Sequence, residues 1–125
     1  MKIYIRNKDN TTFECDMTYQ TTSFELIIRN DLIGEKKYYG SDLLDCFNQF
    51  RKTIEALDYI ILVNGTRKNT WASGGLRDSS NGELTYLLTE NTPYPVLNIF
   101  EFSDIDNVTF QEQLRFYKLW LDSKK

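Results

Sequence analysis

The chain has no histidine among its 125 residues, and this limits the chemistry that its side chains can perform. Ser-His-Asp and Cys-His nucleophile pairs, imidazole acid–base catalysis and most transition-metal sites require that residue. The two cysteines, Cys15 and Cys46, lack the spacing of a metal or redox motif, so we expect both to be buried apolar residues. We therefore predict no catalytic residue, no cofactor and no metal, and a protein that is not an enzyme but binds another macromolecule.

Residues 65–82 contain four of the six glycines, and we expect them to form one long loop. Within it, Ser73-Gly74-Gly75 lacks the glycine and lysine spacing of a phosphate-binding loop. Long loops are uncommon in compact domains and are often functional. We predict that four residues of this loop contact a partner: Arg67, Lys68, Trp71 and Arg77. Trp71 is either a plug folded back onto the core or an exposed anchor.

The distribution of charge indicates the kind of partner. The net charge is −3 and the isoelectric point is about 5.0, which argues against a nucleic-acid partner. No lysine or arginine occurs between Arg77 and Arg115. This interval supplies the remaining predicted contact residues: Asp78, Glu83, Glu90, Glu101, Asp104 and Asp106. We interpret it as a docking face for a basic partner, the alternative being a solvated acidic surface. Asp104–Asn107 lacks the glycine and distal glutamate of a calcium loop.

Two other classes of function stay open from the residues alone. One is a small histidine-free hydrolase or nuclease centred on Arg67, Lys68 and Glu83. The other is an adaptor domain of a larger assembly.

Positioning these residues requires an α+β fold, which we predict as one domain over residues 1–125. Lys2–Arg6 is a predicted strand, residues 13–19 alternate strictly between apolar and polar, and residues 24–28 alternate again. Three short strands joined by polar turns predict an antiparallel meander. Further strands are predicted at 37–39, 58–63, 83–89 and 96–102. We expect a single-layer, mixed or mostly antiparallel sheet of five to six strands packed against two main helices.

The two helices are predicted at about 41–57 and 109–122. In the first, Ser41 is the expected N-cap, and the expected core face comprises Leu43, Phe47, Phe50, Ile54 and Leu57. The polar face is expected to carry Gln49, Arg51, Lys52 and Glu55. In the second, Thr109 and Glu112 have the spacing of a capping box, and the apolar stripe from Phe110 to Leu121 is expected to pack on the sheet.

The predicted location is the cytoplasm. Residues 2–10 are half polar, unlike a signal peptide, and the longest strongly apolar run, Tyr59–Val63, is far shorter than the roughly 20 residues of a membrane span. We expect a monomer with no membrane contact.

The second half of the chain resembles a known group of proteins. The resemblance lies in Leu62–Arg67, Ser73-Gly74, Arg77-Asp78, Gly82 and Tyr86, and then in Gln111–Gln113, Phe116-Tyr117 and Trp120-Leu121. These residues are similar to immunity proteins of bacterial polymorphic toxin systems, of the contact-dependent growth inhibition and Rhs types. The resemblance covers about residues 59–123. It implies a small, acidic, non-catalytic cytoplasmic protein that binds a cognate toxin, often a basic nuclease, and neutralises it by direct occlusion.

Overall fold

The computed structural model describes all residues from Met1 to Lys125 and confirms the predicted α+β class. Its strands are β1 (Lys2–Arg6), β2 (Thr12–Gln20), β3 (Glu25–Asn30), β4 (Gly34–Tyr39), β5 (Ile60–Ile61), β6 (Thr70–Trp71), β7 (Leu84–Leu87) and β8 (Val96–Asn98). Its helices are α1 (Leu43–Glu55), α2 (Gly74–Ser80) and α3 (Phe110–Ser123). The two predicted main helices correspond to α1 and α3.

The larger sheet has five strands in the order β4-β3-β2-β1-β5, and all neighbours are antiparallel. The predicted meander is therefore correct, and it is extended at one edge by β4. Alternation places one side chain in two on the face covered by α1, where Ile5, Cys15 and Met17 are fully buried. This face and the apolar side of α1 form the core of the protein.

The N-cap of α1 is Asp42, so the expectation of Ser41 was wrong. Asp42 Oδ1 accepts a 2.7 Å hydrogen bond from the Asp45 amide, while Ser41 donates its own amide to Asp45 Oδ2. Leu57, expected in the core, is mostly exposed. The helix ends at Glu55, and the chain then reverses through Asp58 at a φ of 65°, which turns Leu57 away from the buried face.

The remaining strands form a second sheet, in the order β6-β7-β8, rather than joining the first. The strand expected over residues 96–102 ends at Asn98. There the Asn98 side chain accepts a hydrogen bond from the Phe100 amide, and the Ile99 carbonyl accepts one from the Gly65 amide. These bonds bend the chain away from β7 after three paired residues.

Residues 65–82 are not one loop, contrary to the prediction. They contain most of a 3-10 turn at Asn64–Thr66, then β6 and α2, whose N-cap Ser73 accepts a bond from the Leu76 amide. Gly82 has a φ of +80°, and a Cβ there would lie 2.5 Å from the Leu44 nitrogen, so only glycine allows this turn to pack against α1. Elements this short show no apolar period that sequence patterning could detect.

Helix α3 begins with the predicted capping box between Thr109 and Glu112. It packs against β6 of the smaller sheet, where the Tyr117 ring stacks on Trp71 at a centroid distance of 4.2 Å. Gln113 is its only fully buried residue, and Leu121, expected in the core stripe, is exposed. The helix is therefore held by aromatic stacking and a polar anchor rather than by an aliphatic core.

Candidate functional site

The structure distributes the predicted contact residues over several elements. Arg67 and Lys68 follow the 3-10 turn, Trp71 lies in β6, and α2 carries Arg77 and Asp78. Glu83 precedes β7 and Glu90 follows it, whereas Glu101, Asp104 and Asp106 lie together between β8 and α3. The acidic interval thus contributes one local cluster of three carboxylates and three separate residues.

The segment from Glu101 to Asp106, here named the 101–106 loop, combines charge with exposed apolar surface. Phe102 and Ile105 are each 56% exposed. The three carboxylates are exposed as well, and none of them forms an ion pair within the protein. Large exposed apolar side chains bordered by polar groups are typical of protein interaction sites.

The backbone of the 101–106 loop is anchored at both ends. The Glu101 carbonyl accepts a 2.9 Å bond from the Asn64 amide, and the Ser103 amide donates to Leu62. At the other end, the Asp106 carbonyl accepts a 2.8 Å bond from the Lys68 amide. A loop fixed in this way loses little conformational entropy when it binds a partner.

Asn107 supports the same loop from beneath. It is buried, and its Nδ2 donates 3.0 Å and 2.9 Å bonds to Val63 O and Thr66 Oγ1. Its backbone pairs with Arg67 in an isolated antiparallel bridge. One side-chain atom of each of these two residues, Arg67 Nε and Asn107 Oδ1, is buried without a hydrogen-bond partner in the protein.

A shallow groove adjoins the loop and is lined by seven residues: Tyr4, Arg6, Asn10, Thr12, Leu62, Phe102 and Asp104. The Phe102 ring meets the Tyr4 ring edge-on at 5.8 Å. The groove therefore offers aromatic surface beside a carboxylate, which suits the apolar stem and charged head of a partner's lysine or arginine.

Two of the three basic candidates, Lys68 and Arg77, contact other side chains of the protein, and so does Trp71. Lys68 Nζ lies 5.7 Å from the centroid of the Phe116 ring, a cation–π contact. Arg77 binds Asp42 through two bonds of 2.9 and 3.0 Å. Burial raises the pKa of Asp42, but the bonds from Arg77 and the Asp45 amide outweigh it and hold that pKa below its usual 3.8. Trp71 is half-buried, which is intermediate between the two alternatives from the sequence, a plug on the core and an exposed anchor.

The three residues on which the hydrolase alternative depends do not form a site together. No hydrogen bond or ion pair connects the side chains of Arg67, Lys68 and Glu83, and none of the three lines any of the five best-defined pockets of the protein. No three Cys, Asp or Glu side chains converge closely enough to hold a metal ion.

Sequence reasoning missed a buried polar hub at Arg51, which was expected on the exposed face of α1 and is only 1% exposed. Its guanidinium donates to Glu55 at 2.7 Å, to Gln113 at 2.6 Å and to the Val108 carbonyl at 2.9 Å. Burial lowers the pKa of Arg51, and the Glu55 carboxylate opposes that change. The glutamine inside the apolar stripe of α3 was the available signal for this hub.

A cavity of about 100 Å³ lies beside the hub. Trp71 is in its wall, and the cavity is here named the Trp71 cavity. Its polar wall includes Arg51, Thr70 and Gln113, and also Asn48 and Arg77. Thr85 lines the cavity too; it is only 3% exposed, and its hydroxyl forms no hydrogen bond within the protein. Apolar wall is supplied by Leu44, Trp71, Ala72, Ile99 and Phe110.

Neither models of protein families nor curated proteins give a match. None of the three helices has the length and hydropathy that crossing a membrane requires.

Proposed function

We propose that this chain is an immunity protein that binds a cognate bacterial toxin domain and neutralises it by direct occlusion. The observation that carries the proposal is the 101–106 loop, where three unpaired carboxylates flank two apolar side chains on an anchored backbone. The resemblance of residues 59–123 to immunity proteins supports the same function.

The proposed partner is basic, and we favour a nuclease. Nucleases hold phosphates with lysine and arginine side chains, so a cluster of carboxylates meets a complementary surface there. Phe102 and Ile105 supply apolar surface beside the carboxylates. Apolar anchors at the centre of an interface contribute most of the binding energy. Exposed carboxylates outside the contact mainly accelerate encounter with the basic partner.

Occlusion requires no chemistry from the inhibitor. A rigid loop that covers a cationic active site excludes the substrate by volume and by charge. The proposed site of action is the cytoplasm, where an imported toxin domain would meet its substrate.

Co-expression with the toxin encoded immediately upstream tests the function. We expect rescue of growth and a stable complex on size-exclusion chromatography. If growth is not rescued and no complex forms, the chain is not the immunity protein of that toxin.

Matched variants test the surface separately. Phe102→Ser and Asp104→Lys should each weaken the complex at least tenfold, because they remove an apolar anchor or reverse a facing charge. Leu32→Ser and Asp31→Lys, which change an exposed leucine and an exposed aspartate in the β3–β4 turn, should have little effect. If the complex forms and all four variants bind equally, the function stands and this loop is not the interface.

A further inference from the structure

The Trp71 cavity has more hydrogen-bond donors in its wall than the protein uses. An arginine has five N–H groups. Arg51 uses one on each of its three nitrogens, which leaves two, and Arg77 uses Nε and one N–H of Nη2, which leaves three. The Asn48 side chain forms no hydrogen bond within the protein, and neither does the Thr85 hydroxyl.

N–H and O–H groups that have no acceptor in the protein can bind one in the cavity, so a wall of this kind favours an occupant that accepts hydrogen bonds. Each arginine already has one carboxylate partner, Glu55 for Arg51 and Asp42 for Arg77. The site therefore has no excess of charge large enough to favour a dianion such as phosphate. Guanidinium N–H groups bind charged acceptors more strongly than neutral ones, so a singly charged acceptor group matches the remaining donors better.

The size and the apolar wall restrict the occupant further. About 100 Å³ is the space of roughly three water molecules in the liquid, or of a group of four or five heavy atoms. Leu44, Ile99 and Phe110 provide a surface for a methyl or methylene group beside the donors. We propose that the Trp71 cavity binds a short-chain monocarboxylate group. This site is separate from the 101–106 loop and does not depend on toxin binding.

Sodium acetate and sodium propionate are the probes, added to the ¹⁵N-labelled full-length protein at constant ionic strength set with sodium chloride. We expect saturable shifts of the Trp71 indole and of the Asn48 and Gln113 side-chain amides, with half-saturation below about 50 mM for so small a ligand. The Trp120 indole, which is not in the cavity wall, is the internal control. Shifts that stay linear, or that equal those with chloride alone, would leave water as the occupant and overturn the proposal.

Thr85→Val keeps the shape of the side chain and removes the hydroxyl. It should weaken acetate binding about three- to tenfold, the effect of one hydrogen bond. Thr18→Val, at an exposed position of β2, should leave binding unchanged. Unchanged binding in a folded Thr85→Val variant would contradict the assigned site.

The carboxylate could come from a free acid or from a partner chain. An acetylated and amidated tripeptide with one internal aspartate distinguishes these sources. Saturation by acetate alone would assign a small-molecule pocket, and saturation by the peptide as well would assign a subsite for a partner's acidic side chain.

Discussion

Gln113 Oε1 accepts a 2.6 Å hydrogen bond from Arg51 Nη1, joining two residues that are 62 positions apart in the chain. The amide nitrogen of the same glutamine lies 3.0 Å from the Gly65 carbonyl and 2.9 Å from the Arg67 carbonyl. The Gln113 side chain, on α3, is therefore hydrogen-bonded to both α1 and the segment around the 3-10 turn. Because α3 has no fully buried apolar residue, this polar connection and the stacking of Tyr117 on Trp71 hold the helix in place.

The first prediction concerns this connection. Gln113→Leu should lower the free energy of unfolding by about 3 kcal/mol, because it leaves one nitrogen of the buried Arg51 guanidinium and the Gly65 carbonyl without their hydrogen-bond partner. Gln111→Leu, at an exposed position of the same helix, should change it by less than about 0.5 kcal/mol. Urea unfolding followed by circular dichroism measures both. Equal stability of the two variants would show that aromatic stacking alone holds α3.

The second prediction concerns the Asp42–Arg77 pair. Asp42→Asn keeps an oxygen for the Asp45 amide, so helix capping is retained, but it removes the ion pair. We expect a loss of about 1 kcal/mol at pH 7, since the pair is only partly buried. The folded pKa of Asp42 is lowered, so this contribution is complete above the usual 3.8 and is lost as the pH falls through the folded value.

Thermal unfolding between pH 2 and 7 measures that dependence. The difference between wild type and Asp42→Asn should shrink in acid. Asp78→Asn, which removes an exposed carboxylate on α2 without an ion pair, is the control. If the stability difference between wild type and Asp42→Asn is constant from pH 2 to 7, the charge of the Asp42 carboxylate contributes nothing to stability.

The third prediction concerns the two thiols. Cys15 and Cys46 are fully buried, and burial raises the pKa of each from 9.0 to about 11. Because only the thiolate reacts, neither should react with a disulfide reagent at pH 8 until the protein unfolds. An exposed Ser123→Cys thiol should react at once in the native state. Rapid labelling of native wild-type protein would contradict the described burial.

The same shifts predict a loss of stability in alkali. Between pH 9 and 11 the unfolded thiols lose protons that the folded ones keep. The folded state then binds more protons, so the free energy of unfolding falls as the pH rises through this range. The Cys15→Ala and Cys46→Ala double variant should show a smaller fall.

The fourth prediction concerns the support of the 101–106 loop. Asn107→Ala removes two buried hydrogen bonds and should lower the free energy of unfolding by about 2 kcal/mol. The Ser103 and Val108 amides, which bond to Leu62 and Thr66, should exchange hydrogen faster than in wild type. Asn91→Ala, in the exposed turn after β7, should leave their exchange unchanged. Unchanged exchange in Asn107→Ala would show that the loop backbone is held without this side chain.

Much of the fold could be predicted from local patterns. The alternation of Cys15 and Met17 with polar neighbours predicted a half-buried strand, and the spacing of Phe47, Phe50 and Ile54 predicted the buried face of α1. The Thr109–Glu112 capping box placed the start of α3 to within one residue. Each of these features is set by backbone periodicity or by bonds between residues a few positions apart, so a local sequence pattern predicts it.

The candidate site was less predictable. Acidity between residues 78 and 112 could be read from the sequence, but the grouping of Glu101, Asp104 and Asp106 away from Asp78 depends on where the chain turns. Exposure of Phe102 depends on the end of β8 at Asn98 and on a bridge to Val63. No local pattern contains either contact.

The sequence by itself determined the α+β class, the main helices, the meander and the absence of imidazole chemistry. Only the tertiary structure decided that Arg51 is buried, that Trp71 lines a cavity and that Phe102 faces solvent. A charged residue on a helix is buried only if distant groups replace its water, and for Arg51 those groups come from Val108 and Gln113, 57 and 62 residues away. Such partners are brought together by packing of the whole chain, not by the residues that surround Arg51 in sequence.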